Sequence, residues 1–107
     1  MVSTLKSAGD FEKQIAGAGD KLVVLDFYAT WCGPCKEMEP HIRKLVKHYK
    51  DRAIVIKINV DKFQDICDYY KVRSMPTFVF IKNQRRVSSF AGADAKLLTQ
   101  KMASLVK

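Results

Sequence analysis

The chain has 107 residues, 48 % of them hydrophobic and 28 % charged, with 19 Lys and Arg against 11 Asp and Glu for a formal net charge of +8. That is the length of one domain, residues 1–107, able to bury a core without staples, and no apolar run approaches the roughly 20 residues of a membrane span. Three cysteines do not make the even-numbered framework of a small secreted domain, and the cationic excess biases partners toward polyanions.

Val2 to Leu5 is expected to form a short strand. Ser7 to Asp10 reads as a capping region for a helix that carries Phe11 and Ile15 on one face and stops at Gly17-Ala18-Gly19. Leu22 to Tyr28 is apolar on both faces apart from Asp26, the pattern of a central strand covered on two sides. From Pro34 onward Met38, Ile42, Leu45, Val46 and Tyr49 recur at helical spacing, with Pro40 inside the pattern as an expected kink. Ala53 to Val60 is a second β-rich run. Asp61 is expected to cap a short helix whose Phe63, Ile66, Cys67 and Tyr70 share a face. Thr77 to Ile81 is a further strand, Lys82 to Arg86 a polar turn, and Val87 to Phe90 its hairpin partner. Asp94 caps a last helix that buries Leu98, Met102 and Leu105. This order predicts an α/β fold with one mixed sheet and helices on both faces.

Trp31-Cys32-Gly33-Pro34-Cys35 stands where the central strand gives way to a helix. Two cysteines at this spacing can close a small disulfide and reopen it. Gly33 permits close backbone approach, and Pro34, with φ near the helical value and no N–H, suits a first helical turn. Free N–H groups and the helix dipole favour a thiolate at Cys32. Cys67, His41 and His48 supply no second CxxC or close His pair, so no metal is expected. Met1 to Lys6 has no basic stretch followed by an apolar one, and the CxxC therefore reads as redox chemistry in a reducing compartment, cytoplasm or nucleus. No membrane contact is expected.

Asp26 is a carboxylate inside an apolar strand, where desolvation raises its proton affinity. It is either a charge satisfied by a neighbouring cation or a proton acceptor for the cysteine pair, and Lys57 in the next apolar strand is the expected partner that tunes it. Lys36, Arg43, Lys47 and Lys50 recur at helical spacing opposite the apolar face, and Lys82, Arg85 and Arg86 cluster in the hairpin turn. These are either solvated faces or a non-specific contact for DNA or acidic proteins through counterion release.

With the elements placed, the chain resembles the thioredoxin family over its whole length. The resemblance rests on Asp26-Phe27-Tyr28-Ala29-Thr30 running into Trp31-Cys32-Gly33-Pro34-Cys35-Lys36, on Pro40, on Asn59-Val60-Asp61, on Met75-Pro76-Thr77 and on Phe90-Ala91-Gly92-Ala93. Lys71 to Phe80 and Ser89 to Asp94, with the basic charge, look most like an animal cytosolic or nuclear member. The resemblance implies a thioredoxin fold, a central mixed five-stranded sheet flanked by four helices. It also implies a protein-disulfide reductase with no bound cofactor, taking electrons from NADPH through thioredoxin reductase and acting on disulfide-containing proteins.

Carried onto this chain, Cys32 is the nucleophile, Cys35 the resolving thiol and Asp26 the proton acceptor. Pro76 matches the family's cis-proline, with Met75 and Thr77 beside it. Trp31, Gly33, Pro34, Gly92 and Ala93 complete a flat substrate rim. Tyr28 stands where many members carry Trp, and Tyr70 and Ser74 replace positions of extra cysteines in mammalian relatives, so a monomer is expected. Cys67 reads as a buried core thiol. The other function class left open is a redox-dependent binding module that docks on and regulates a signalling partner.

Overall fold

The computed structural model describes residues 1–107, and its elements run β1 (Val2–Thr4), α1 (Ala8–Gly17), β2 (Leu22–Tyr28), α2 (Gly33–His48), β3 (Ala53–Asn59), α3 (Gln64–Tyr69), β4 (Thr77–Lys82), β5 (Arg85–Ala91) and α4 (Ala95–Leu105). The five strands form one mixed sheet in the order β1-β3-β2-β4-β5. β1 and β2 pair in parallel with β3, whereas β4 lies antiparallel to β2 and to β5. β2 is therefore central, and six of its seven residues are buried.

The period-two alternation of the strands divides the core. Leu22 and Val24 of β2, Val55 of β3 and Phe78 and Phe80 of β4 face α2 and α4, where Met38, Ile42, Leu98 and Met102 cover them. Val23, Leu25 and Phe27, with Ile54, Ile56, Ile58 and Val79, face the other way toward Phe11 and Ile15 of α1 and Ile66 and Cys67 of α3. By this alternation Asp26, Tyr28 and Lys57 belong to the face covered by α2. The phenyl groups of Phe27, Phe78 and Phe80 are fully buried, each stabilising the fold by roughly 1.5–3 kcal/mol.

Local chemistry sets the helix starts. The Ser7 hydroxyl accepts the Asp10 N–H at 3.1 Å and the Asp94 carboxylate accepts the Leu97 N–H at 2.9 Å, both as N-caps. Asp61 does not cap α3, contrary to the sequence expectation. The helix starts at Gln64 with Phe63 at its N-cap position and no side-chain cap. Asn59 accepts the Asp61 N–H at 2.9 Å in a turn, leaving the Asp61 carboxylate to serve another group. The expected five-residue turn is likewise shorter. Asn83 and Gln84 alone connect β4 to β5, both at positive φ (52° and 64°), and Arg85 and Arg86 already belong to β5. A two-residue turn of that hand matches the twist of its strands. Leu105 is half-buried, and Val106 beyond it is the buried residue at that end of α4.

Candidate active site

β2 ends at Tyr28, and Ala29 to Trp31 carry the chain over to α2, whose N-cap is Cys32 in an extended backbone conformation (φ −90°, ψ 108°). Cys32 and Cys35 are joined by a disulfide with Cα atoms 5.3 Å apart. The Cys35 N–H donates to Cys32 Sγ at 3.1 Å. The first cysteine thus occupies the capping position of a helix, where a thiolate would receive an N–H and the positive end of the dipole. Pro34 lies in the first turn, where its missing N–H removes no helical bond. Exposure does not separate the two sulfurs in this closed state, because Cys32 is 5 % and Cys35 6 % exposed. With the disulfide closed, position on the helix distinguishes the pair.

Around the disulfide lie the remaining residues of the expected rim. Trp31 is 65 % exposed, and its Nε1–H donates to the Asp61 carboxylate at 3.0 Å. That bond is the service for which Asp61 is free. Gly33 and Pro34 are exposed, and Met75 packs half-buried against Ala29, Cys32 and Cys35. The Met75-Pro76 peptide bond is cis, and the Pro76 carbonyl accepts the Gly92 N–H at 2.8 Å. Gly92 takes φ 111°, a conformation that L side chains rarely adopt, and Ala93 beside it is exposed. Thr77 is buried and its hydroxyl donates to the Ser74 carbonyl at 2.6 Å, so that side chain is committed to the turn.

Asp26 is 3 % exposed. Burial pushes its carboxyl up from the ordinary 3.8 to about 7; the Lys57 charge pulls it down by less, and the Glu39 charge adds to the rise. Lys57 sits directly across the parallel β2–β3 ladder from Asp26, yet its ammonium pairs with the Glu39 carboxylate at 2.5 Å. The same ammonium lies 4.6 Å from the centre of the Tyr28 ring. Lys57 thus acts on Asp26 through its charge while its ammonium is bonded to Glu39, and the three groups form one set. Glu39 escaped the sequence reading, although its place four residues beyond Cys35 on a helix puts it on the same side of α2.

The basic residues do not form one patch. Lys36, Arg43 and Lys47 are exposed along α2, with Lys50 just past its end, and Arg43 leans to Glu39 at 3.4 Å. Lys82 is half-buried and donates to the Leu105 carbonyl at 3.0 Å, which commits it to the end of α4. Arg86 donates to Ser89 Oγ at 2.7 Å and lines a groove with Phe11, Ile15, Tyr69 and Tyr70 on the α1–α3 side. Arg85 is exposed on β5. The α2 stripe and the hairpin arginines are separate features, because the strands carry the latter away from the turn. Cys67 is a buried free thiol, and burial pushes its proton affinity up. No cluster of His, Cys, Asp and Glu is arranged to hold a metal ion, and no helix is long and apolar enough to cross a membrane.

A mixed sheet of this topology, with a cysteine pair joined as a disulfide at the first turn of the helix after the central strand, has the architecture of a thiol-disulfide oxidoreductase. Residues 2–104 match the thioredoxin family model, and the chain belongs to the thioredoxin family. Thioredoxin-1 of Drosophila melanogaster is 56 % identical over 106 residues, spanning 99 % of each chain. Thioredoxin of Homo sapiens is 41 % identical over 106 residues, spanning 99 % of this chain and all of its own. The crystal structure of the germline-specific thioredoxin Deadhead (Thioredoxin-1) of Drosophila melanogaster superposes with a TM-score of 0.92, covering 95 % of this chain and 97 % of that one. The chain is accordingly a protein-disulfide reductase of the thioredoxin type.

Proposed function

We propose that Cys32 is the attacking thiolate and Cys35 the resolving thiol. The observation that carries this is the capping geometry, in which the Cys35 N–H points at Cys32 Sγ at the start of α2. Cys32 Sγ attacks one sulfur of a substrate disulfide; a new S–S bond forms to that sulfur and the other leaves as a thiolate. Asp26 then takes the proton of Cys35, directly or through water. The Cys35 thiolate attacks Cys32 Sγ, which closes the Cys32–Cys35 disulfide and releases the second substrate sulfur with its electron pair. The substrate leaves with two electrons and the enzyme is left oxidised. Those electrons are restored from NADPH by a thioredoxin reductase.

Trp31, Gly33, Pro34, Met75, Pro76, Gly92 and Ala93 form the rim on which an extended substrate segment lies. Asp61 holds the Trp31 indole in that rim through the 3.0 Å bond from Nε1. Insulin reduction by the reduced protein tests the assignment: Cys32→Ser should bring the rate to the uncatalysed level. Retention of even a tenth of the activity would place the nucleophile elsewhere.

The net charge of +8 supports a narrower reading, in which Lys36, Lys47 and Lys50 on the exposed side of α2 hold the reductase near polyanions such as DNA. Its substrates would then include disulfide-linked proteins packed on chromatin, reached in the nucleus as well as the cytoplasm. Arg43 contributes less, being turned toward Glu39.

A further inference from the structure

We propose that Glu39 is a positioning residue: its carboxylate holds the Lys57 ammonium off Asp26 and over the Tyr28 ring, and so sets the charge state in which Asp26 meets Cys35. Three observations converge on this. Lys57 faces Asp26 across the β2–β3 ladder, the place from which a cation would ordinarily satisfy a buried carboxylate. Yet Lys57 Nζ bonds Glu39 Oε1 at 2.5 Å, and no ion pair joins it to Asp26. The ammonium is held from a second side by the Tyr28 ring, 4.6 Å from its centroid, a separation at which a cation is attracted to the ring face.

The surroundings offer Asp26 no other counter-charge. β3 presents Lys57, and α2 presents Glu39, Arg43 and Cys35. Of these Arg43 is turned to Glu39 at 3.4 Å. β4 places Phe78 beside Asp26 in the antiparallel register. α4 turns Leu98 and Met102 inward, and its Lys101 ammonium is on Ser88 Oγ at 2.7 Å. Lys57 is thus the one cation able to pair with Asp26, and Glu39 the one group that competes for it. A carboxylate that captures the cation leaves Asp26 protonated over a wider range of pH, and its own negative charge acts in the same direction.

The role is independent of whether Asp26 is the proton acceptor, although its catalytic meaning rests on that reading. The test follows the Asp26 side-chain carboxyl by carbon NMR through a pH titration of the oxidised protein. In Glu39→Gln the midpoint should fall by at least one pH unit as Lys57 turns to Asp26, while in Lys57→Met it should rise. In the Lys57→Met background the added Glu39→Gln change should move the midpoint less than half as far. An unmoved midpoint in Glu39→Gln overturns the proposal. So does an equal displacement in both backgrounds, which would make Glu39 a direct like charge and not a holder of Lys57. The pH profile of mixed-disulfide resolution is read on the same proteins. A profile that stays fixed while the Asp26 midpoint moves refutes the proton-acceptor role and leaves the positioning of Lys57 intact.

Discussion

Replacing Asp26 by Asn should stabilise the oxidised protein by an amount that depends on pH. The folded structure raises the carboxyl from 3.8 to about 7, chiefly through burial, so between those values the native protein keeps a proton that the unfolded chain releases. The stability associated with this group is fully present below pH 3.8 and is lost as the pH rises through about 7. At about 1.36 kcal/mol per pH unit, the displacement from 3.8 to about 7 sets a ceiling of about 4 kcal/mol on the loss. Asn has nearly the same shape and carries no charge at any pH, so it does not suffer it.

The two proteins should be about equally stable near pH 3.5, diverge by about 1.4 kcal/mol per unit through the titration window, and run parallel above about pH 8. A domain of this size gains roughly 4 °C or more in Tm for each kcal/mol, so the difference at alkaline pH should exceed about 10 °C. Urea unfolding of both oxidised proteins at half-unit steps of pH measures it. The closed disulfide removes Cys32 and Cys35 from the titration, and subtracting one protein from the other cancels acids common to both. A difference that is constant across pH, or an Asn variant less stable at pH 8, refutes the reasoning.

Two other outcomes follow from burial and charge. Cys67 is the buried residue of α3 and belongs to the cluster against which Phe63, Ile66 and Val72 pack; iodoacetamide at pH 8 should modify it at least about 100-fold more slowly in the native oxidised protein than in urea, since a buried neutral thiol reacts only on opening. Comparable rates would mean an accessible, reactive thiol. Lys47→Glu with Lys50→Glu should flatten the slope of log affinity for duplex DNA against log salt by about 1.8, two contacts at about 0.9 each, with insulin reduction unaltered. An unchanged slope in that variant would make these lysines a solvated face.

The sequence revealed most of the architecture because its strands and helices have different, strong periods. The buried run of β2, the alternation of β3 and the helical spacing of Met38, Ile42 and Leu45 each admit one reading, and Ser7 and Asp94 cap as their types suggest. What it hid depends on competition between distant partners. Asp61 has the type of an N-cap, but a Trp31 indole 30 residues away claims its carboxylate. Lys82 looks like a surface cation until the end of α4 brings the Leu105 carbonyl to it. Lys57 is correctly placed opposite Asp26, yet only the packing of α2 on β3 discloses that Glu39 takes its ammonium. Arg86 follows a polar run that reads as a turn, whereas the two-residue turn puts it in β5 on the α1–α3 side.

The division of labour between the two sulfurs is tested most directly by Cys35→Ser, reduced and mixed with a peptide disulfide of known mass. Loss of the resolving thiol should stop the reaction after one exchange, so intact-mass measurement should show one peptide adduct per protein. Proteolysis should place it on Cys32. An adduct on Cys67, or continued turnover without any adduct, would contradict the assignment of Cys32 as nucleophile and Cys35 as the thiol that releases the substrate.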